Sequence, residues 1–172
     1  MKNTHIRTKA LAIIFIVLVG YFLWKIIDAK KIDTNTQLTK SIPKKNLNHY
    51  QSKLLKFSVL LPDNFQINEK QTGVIFDLNN NSIVIARSAT EFNNIEDHVK
   101  KLMRINKTAL SNERKIEINH IEAISGIIKY DKNNSEKIIY LYLDGWIYDI
   151  STSSPELFDD LDAIAQTFQF TP

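Results

Sequence analysis

From position 10 to 27 the chain is apolar on every side: ALAIIFIVLVGYFLW runs without a charge, and Lys25 is followed by Ile26 and Ile27. A helix of that length rises about 27 Å, close to the ~30 Å hydrocarbon core of a bilayer. Ten of positions 10–24 are Leu, Ile, Val or Phe, which together favour insertion by roughly 3 to 6 kcal/mol. Lys25 sits near the end of the run, where its ammonium can snorkel to the interface, and Tyr21 and Trp24 suit an interfacial aromatic belt. The pattern predicts one transmembrane signal-anchor helix over 10–27, preceded by a basic N-tail over 1–9. A cleaved signal peptide is the rival expectation, since Lys2, Arg7 and Lys9 form a basic start and Ala29 ends Ile27-Asp28-Ala29. Against it stand the bulky Phe22, Leu23 and Trp24 after the apolar run, and the length of that run. With no cysteine in the chain, lipoprotein processing is excluded.

Residues 28–52 are polar, with isolated apolar positions and no sustained period, and read as a basic linker. From position 53 the pattern becomes that of a folded domain. Leu55, Phe57, Val59 and Leu61 alternate up to Pro62, predicting a strand over 54–62. Two strands, 73–78 and 82–86, flank Asn79-Asn80-Asn81, whose residues tolerate positive φ and suit a hairpin turn. Asn93, with Glu96 three residues on, suits the start of a helix carrying Ile95, Val99, Leu102, Met103 and Leu110 at helical spacing. A long extended stretch then runs through Ile116, Ile118 and His120 to Tyr130, with a bulge expected at Gly126.

The strongest local signal is IIYLYL-DG-WIYDIS, a two-residue Asp144-Gly145 hairpin that sets its own register. Leu143 faces Trp146, Leu141 faces Tyr148 and Ile139 faces Ile150, an apolar face expected in the core. On the other face Tyr142 meets Ile147, Tyr140 meets Asp149 and Ile138 meets Ser151. The last helix begins at Ser153 or Ser154, with Pro155 in its first turn and Glu156, Asp159 and Asp160 complementing the dipole. Leu157, Phe158, Leu161, Ile164, Ala165 and Phe168 form its stripe, and Phe170 starts a short terminal strand. The fold class expected is α+β: an antiparallel β-sheet with helices packed on it, preceded by the transmembrane helix.

The opening strand FSVLLPDNF (57–65), the central helix, the hairpin YLYLDGWIYDISTS (140–153) and the closing FDDLDAIAQTFQF (158–170) resemble the PsbP-like superfamily. That group includes the photosystem II extrinsic protein, bacterial envelope proteins such as DcrB and a eukaryotic Ran-binding import factor. The resemblance covers residues 53–172. It implies a PsbP-like α/β/α sandwich in a single-pass membrane-anchored bacterial member, and a binding or assembly role. It carries over no ligand-binding residue.

Charge sharpens this reading. The formal net charge of +3 divides unevenly, with nine Lys/Arg against two acids in residues 1–49, a balance of +7, and −4 in the remainder. The bases flank a membrane segment instead of clustering on a folded face, so no nucleic-acid partner is expected. The lipid bilayer is the expected partner through residues 10–27, along with a protein partner in the membrane or envelope. Lys2, Arg7 and Lys9 favour the N-tail inside and the domain exported, while Lys25, Lys30 and Lys31 pull the other way.

Candidate chemistry is sparse. His49, His98 and His120 stand apart in sequence, and no GxSxG, HExxH, P-loop or GxGxxG occurs. Asp131, Asn133 and Ser135 have calcium-loop spacing, but Glu136 stands where that loop needs Gly and Tyr142 where it needs Glu. Asp159, Asp160 and Asp162 lie in the first turns of a helix, where acids are favoured anyway. No catalytic, cofactor-binding or metal residue is therefore expected. The candidate binding surface is Tyr140, Tyr142 and Ile147 on the mixed hairpin face, where aromatics supply contact area; the alternative is that a helix covers that face. The function expected is a cell-membrane, extracytoplasmic, non-catalytic binding or assembly domain. The alternatives are a carrier of lipid or another small ligand in the envelope, or a hydrolase of unrecognised type.

Overall fold

The structure, a computed structural model, describes residues 46–172. The N-tail 1–9, the predicted membrane helix 10–27 and the linker up to residue 45 lie outside the described residues. Among the described residues, no helix is long and apolar enough to cross a membrane.

Among the described residues, ten strands and two helices follow in the order β1 (Leu47–Ser52), β2 (Phe57–Pro62), β3 (Gln66–Glu69), β4 (Gly73–Leu78), β5 (Asn81–Ala89), α1 (Ile95–Asn106), β6 (Leu110–Ile118), β7 (Ile121–Lys129), β8 (Ser135–Leu143), β9 (Trp146–Thr152), α2 (Phe158–Gln166) and β10 (Gln169–Phe170). A 3-10 turn, Pro155–Leu157, leads into α2. Seven strands form one antiparallel sheet in the order β3-β4-β5-β9-β8-β7-β6, and β1-β2-β10 form a second. The last six residues of the expected linker are therefore strand. They are mostly exposed and lack an apolar alternation because β1 is an edge strand whose order comes from β2. Its anchor is Glu69, which accepts from Ser52 Oγ at 2.6 Å and from the Tyr50 hydroxyl at 2.9 Å.

Three two-residue turns set the large sheet's registers. Asn79 and Asn80 have φ of 48° and 68°, Asn119 and His120 of 48° and 67°, and Asp144 and Gly145 of 47° and 79°. Positive φ at both central positions matches the right-handed twist of the flanking strands, and Asn, Asp, His and Gly bear it best. The long stretch expected from Ile116 to Tyr130 is thus two strands folded at Asn119-His120. The bulge expected at Gly126 lies instead on the facing strand. Ser111 pairs with Ile127 and Arg114 with Ser125, leaving Asn112, at φ 53°, and Glu113 opposite Gly126 alone. Glycine there leaves room for Leu110, which would have to shift for any larger residue, since a Cβ would lie 2.4 Å from its Cγ.

The large sheet buries both faces. Against one pack β2 and α2, giving a core of Phe57, Val59, Leu61, Phe76, Ile85, Leu141, Tyr148, Leu161 and Phe168 among others. Phe57 and Phe168 stack with centroids 5.5 Å apart, and Tyr148 meets Phe168 edge-on at 5.0 Å. The buried Tyr148 hydroxyl donates to the Leu55 carbonyl at 2.8 Å. Against the other face lies α1, whose Ile95 and Val99 cover Ile124, Ile128, Ile138, Tyr140 and Ile147. Helix α1 starts one residue later than the spacing suggests: Asn94 is the N-cap, its side chain accepting from the Asp97 amide at 2.8 Å. Lys137 of β8 joins the sheet to α2 by an ion pair to Asp162 at 2.6 Å, both side chains largely buried.

Candidate functional site

The β8–β9 register is the one the Asp144-Gly145 turn predicts, from Leu143↔Trp146 back to Ile138↔Ser151. What the pairing leaves open is which surface covers each face, and α1 settles that for the candidate binding residues. Ile147 is 1% and Tyr140 4% exposed beneath the helix, and Tyr142 packs half-buried at the cluster's edge. A partner cannot reach Tyr140 or Ile147 while α1 is in place. Of the contact surface expected at Tyr140, Tyr142 and Ile147, Tyr140 and Ile147 are accordingly core and Tyr142 lies at its margin, because the apolar positions of a sheet face are stable only when covered.

At the polar margin of that core, titratable groups gather without forming a catalytic array. The His98 ring lies 6.4 Å from the Tyr140 ring, and its Nδ1 is 2.9 Å from Thr90 Oγ1. That hydroxyl also accepts from the Phe92 amide at 3.2 Å, and the direction of its bond to His98 follows the ring's tautomer. Burial, helped by the nearby Lys101, lowers the His98 pKa. Across the sheet, burial raises the Asp149 carboxyl against a backbone hydrogen bond that favours its charged form, and Glu136 adds to the rise. Burial likewise raises Tyr140, with Asp149 and Glu136 contributing. Thr90 and His98 resemble a nucleophile and base, but no carboxylate orients the second ring nitrogen among the described residues, as such a pair requires. The geometry is that of a turn hydroxyl capped by a ring.

A cleft of about 320 Å³ opens between α1 and the edge strand β6. Val99, Met103, Leu110 and Ile124 line its floor, and Glu96, Lys100 and Glu113 its rim. Lys115 of β6 bridges to Glu96 of α1 at 2.5 Å, and that hydrogen bond is the main reason the Glu96 carboxyl is lowered.

The third feature lies on the opposite face, where β5 meets the β8–β9 turn. Arg87 pairs with Tyr148 and Ala89 with Trp146 across the two strands. The Arg87 guanidinium lies 3.8 Å from the Trp146 ring centroid and 5.6 Å from that of Tyr148. Trp146 is 39% exposed. Nothing in the sequence links position 87 to 146. The only available hint was a large aromatic beside a hairpin turn, where the alternation had assigned Trp146 to the core.

The remaining candidates are accounted for locally. His49 lies on exposed β1. His120 occupies its hairpin turn with its ring in solvent, 3.2 Å from Glu117. The Asp131 carboxylate accepts from the Asn133 and Asn134 amides at 2.8 Å each, which closes the β7–β8 turn and, with the Asn134 side chain, lowers its pKa. Asp162 belongs to the Lys137 pair, while Asp159 and Asp160 sit in the first turn of α2. Among the described residues no three of His, Cys, Asp and Glu are grouped to hold a metal ion.

An antiparallel seven-stranded sheet with a helix on each face, one of them sharing its layer with a small second sheet, defines an α+β class that solved structures share. The solution structure of cyanobacterial PsbP (CyanoP) from Synechocystis sp. PCC 6803 superposes with a TM-score of 0.54 at 9% identity, covering 76% of this chain and 95% of that one. A crystal structure of a Bacteroides thetaiotaomicron VPI-5482 protein gives 0.54 at 10% identity over 72% of this chain. This chain spans about half, 48%, of that second protein's length. The fold is PsbP-like. No protein-family model matches the chain, and no curated protein does. At such identities the likeness concerns the fold and transfers no residue's role.

Proposed function

We propose that this protein is a membrane-tethered, extracytoplasmic, non-catalytic binding or assembly domain, held to the bilayer by a transmembrane helix over residues 10–27. The observation that carries the reading is the sheet end where Arg87 lies over the exposed Trp146, joined to the β1–β2 turn through the Tyr148 hydroxyl. Trp146 is 39% and Leu54 57% exposed, and Leu54 adjoins the carbonyl that accepts from Tyr148. Aromatic and arginine side chains clustered on a rigid sheet end are the composition that protein interfaces favour. The apolar run at 10–27 supplies the tether, and the PsbP-like fold suits a domain that acts by contact. The test is crosslinked capture by the full chain in its native membranes. A discrete partner set, lost on Trp146→Ala, is expected. A chain that sediments as a freely soluble protein with residues 1–27 intact would refute the tether.

The cleft between α1 and β6 supports a second reading, a carrier of lipid or another small apolar ligand, because its apolar floor and charged rim suit an amphiphile. Native mass spectrometry of the purified chain should then reveal a bound species that Met103→Trp displaces.

A further inference from the structure

We infer that Arg87 and Trp146 form a recognition shelf for a carboxylate on an extended acidic peptide segment of a partner protein. The inference rests on the binding-domain reading and names its site. Arg87 forms no ion pair and donates no side-chain hydrogen bond among the described residues; its Nε is buried without an acceptor. Arg87 as a whole is half-buried, and no side-chain acceptor among the described residues takes up its terminal nitrogens. The position of the guanidinium is set by stacking on Trp146 and Tyr148, with Tyr148 itself fixed by its hydrogen bond to Leu55. The neighbouring Asp144, exposed in the β8–β9 turn, makes no ion pair with it.

An apolar side chain would cover Trp146 and Tyr148 equally well without burying an unsatisfied N–H, so the guanidinium is explained best by an acceptor it awaits. A planar guanidinium fork matches a planar carboxylate in bidentate fashion. The exposed ring of Trp146 offers contact to an apolar residue flanking that carboxylate, which a bare inorganic anion would leave unused. Lys53 and Lys56, both exposed in the β1–β2 turn, add positive charge for an acidic segment.

The test uses the full chain in detergent micelles with Trp24→Phe, which leaves Trp146 as its sole tryptophan. The probes are a capped hexapeptide alternating glutamate and leucine, its glutamine counterpart, and inorganic phosphate. Trp146 emission should respond saturably to the glutamate peptide, with affinity roughly tenfold weaker for the glutamine peptide and for Arg87→Gln. Arg87→Lys, which keeps the charge but not the fork, should bind at an intermediate level, and its thermal unfolding shows whether the sheet end is intact. Equal response to both peptides, an undiminished response in Arg87→Gln, or a response to phosphate matching that to the glutamate peptide overturns the shelf. Partner capture from native membranes by Arg87→Gln at the wild-type level also overturns it, yet leaves the binding-domain reading standing. Failure of the wild-type chain to capture any partner overturns that broader reading.

Discussion

Replacing Tyr140 by alanine separates a core face from a contact face. Tyr140 is 4% exposed and packs with Ile95 and Val99 of α1 and with Ile124, Ile138 and Ile147 of the sheet. Truncating a buried aromatic to alanine costs about 3 to 5 kcal/mol, the transfer and cavity contributions together. With an unfolding entropy near 2.1 cal/mol/K per residue, a domain the size of residues 46–172 shifts by roughly 4 °C per kcal/mol, so Tm should fall by about 12 to 20 °C. Tyr140→Phe is the matched control. The hydroxyl has no hydrogen-bond partner among the described residues, and its loss should move stability by less than ~0.5 kcal/mol. Thermal unfolding of the two variants, followed by near-UV circular dichroism, reads both. A Tm for Tyr140→Ala within about 2 °C of the parent would refute the covered face and return Tyr140 to the surface.

Other outcomes follow from single contacts. Gly126→Ala should destabilise by ~1 to 3 kcal/mol, as overpacking does, because the new methyl meets Leu110 Cγ at 2.4 Å; adding Leu110→Ala should recover much of that loss in a double-mutant cycle. Lys137→Met removes the partner of the largely buried Asp162, whose Oδ1 already lacks an acceptor's due partner, and should cost about 3 kcal/mol, whereas pairing it with Asp162→Leu should restore most of it. Because burial raises the folded-state pKa of Asp149, its contribution is intact below the ordinary carboxylate range and is lost as pH rises through the folded value. Asp149→Asn should therefore stabilise the protein at neutral pH and lose that advantage near pH ~3, where Asp149 is protonated in both states; urea titrations at the two pH values check the sign.

Local chemistry made much of the large sheet legible. The Asp144-Gly145 pair could adopt a turn with both φ values positive, and that turn sets the β8–β9 register residue by residue. The expected turn Asn79-Asn80-Asn81 marked the β4–β5 hairpin, although Asn81 is already strand and pairs with Leu78. The turn at Asn119-His120 uses the same geometry, but Ile116, Ile118, Ile121 and Ile124 flank it so continuously that the strand pattern masks the fold-back. Strands β1 and β3 carry no apolar alternation, since each is an edge that borrows its order from one neighbour; β3 is exposed along its length.

The candidate site shows the limit more sharply. Period-two alternation divided β8 and β9 into an apolar face and a mixed one carrying Asp149 and Ser151, and only the docking of α1 decided that Tyr140 and Ile147 on the mixed face are inside. Trp146 shared the alternation of Leu141 and Tyr148 and is still 39% exposed. Arg87 meets Trp146 only because β5 lies beside β9, a neighbour relation between strands far apart in the chain. Turn chemistry and side-chain period act over a few residues and are written locally; which layer covers a face, and which distant side chains share a corner, depend on long-range strand order that no short stretch of sequence encodes.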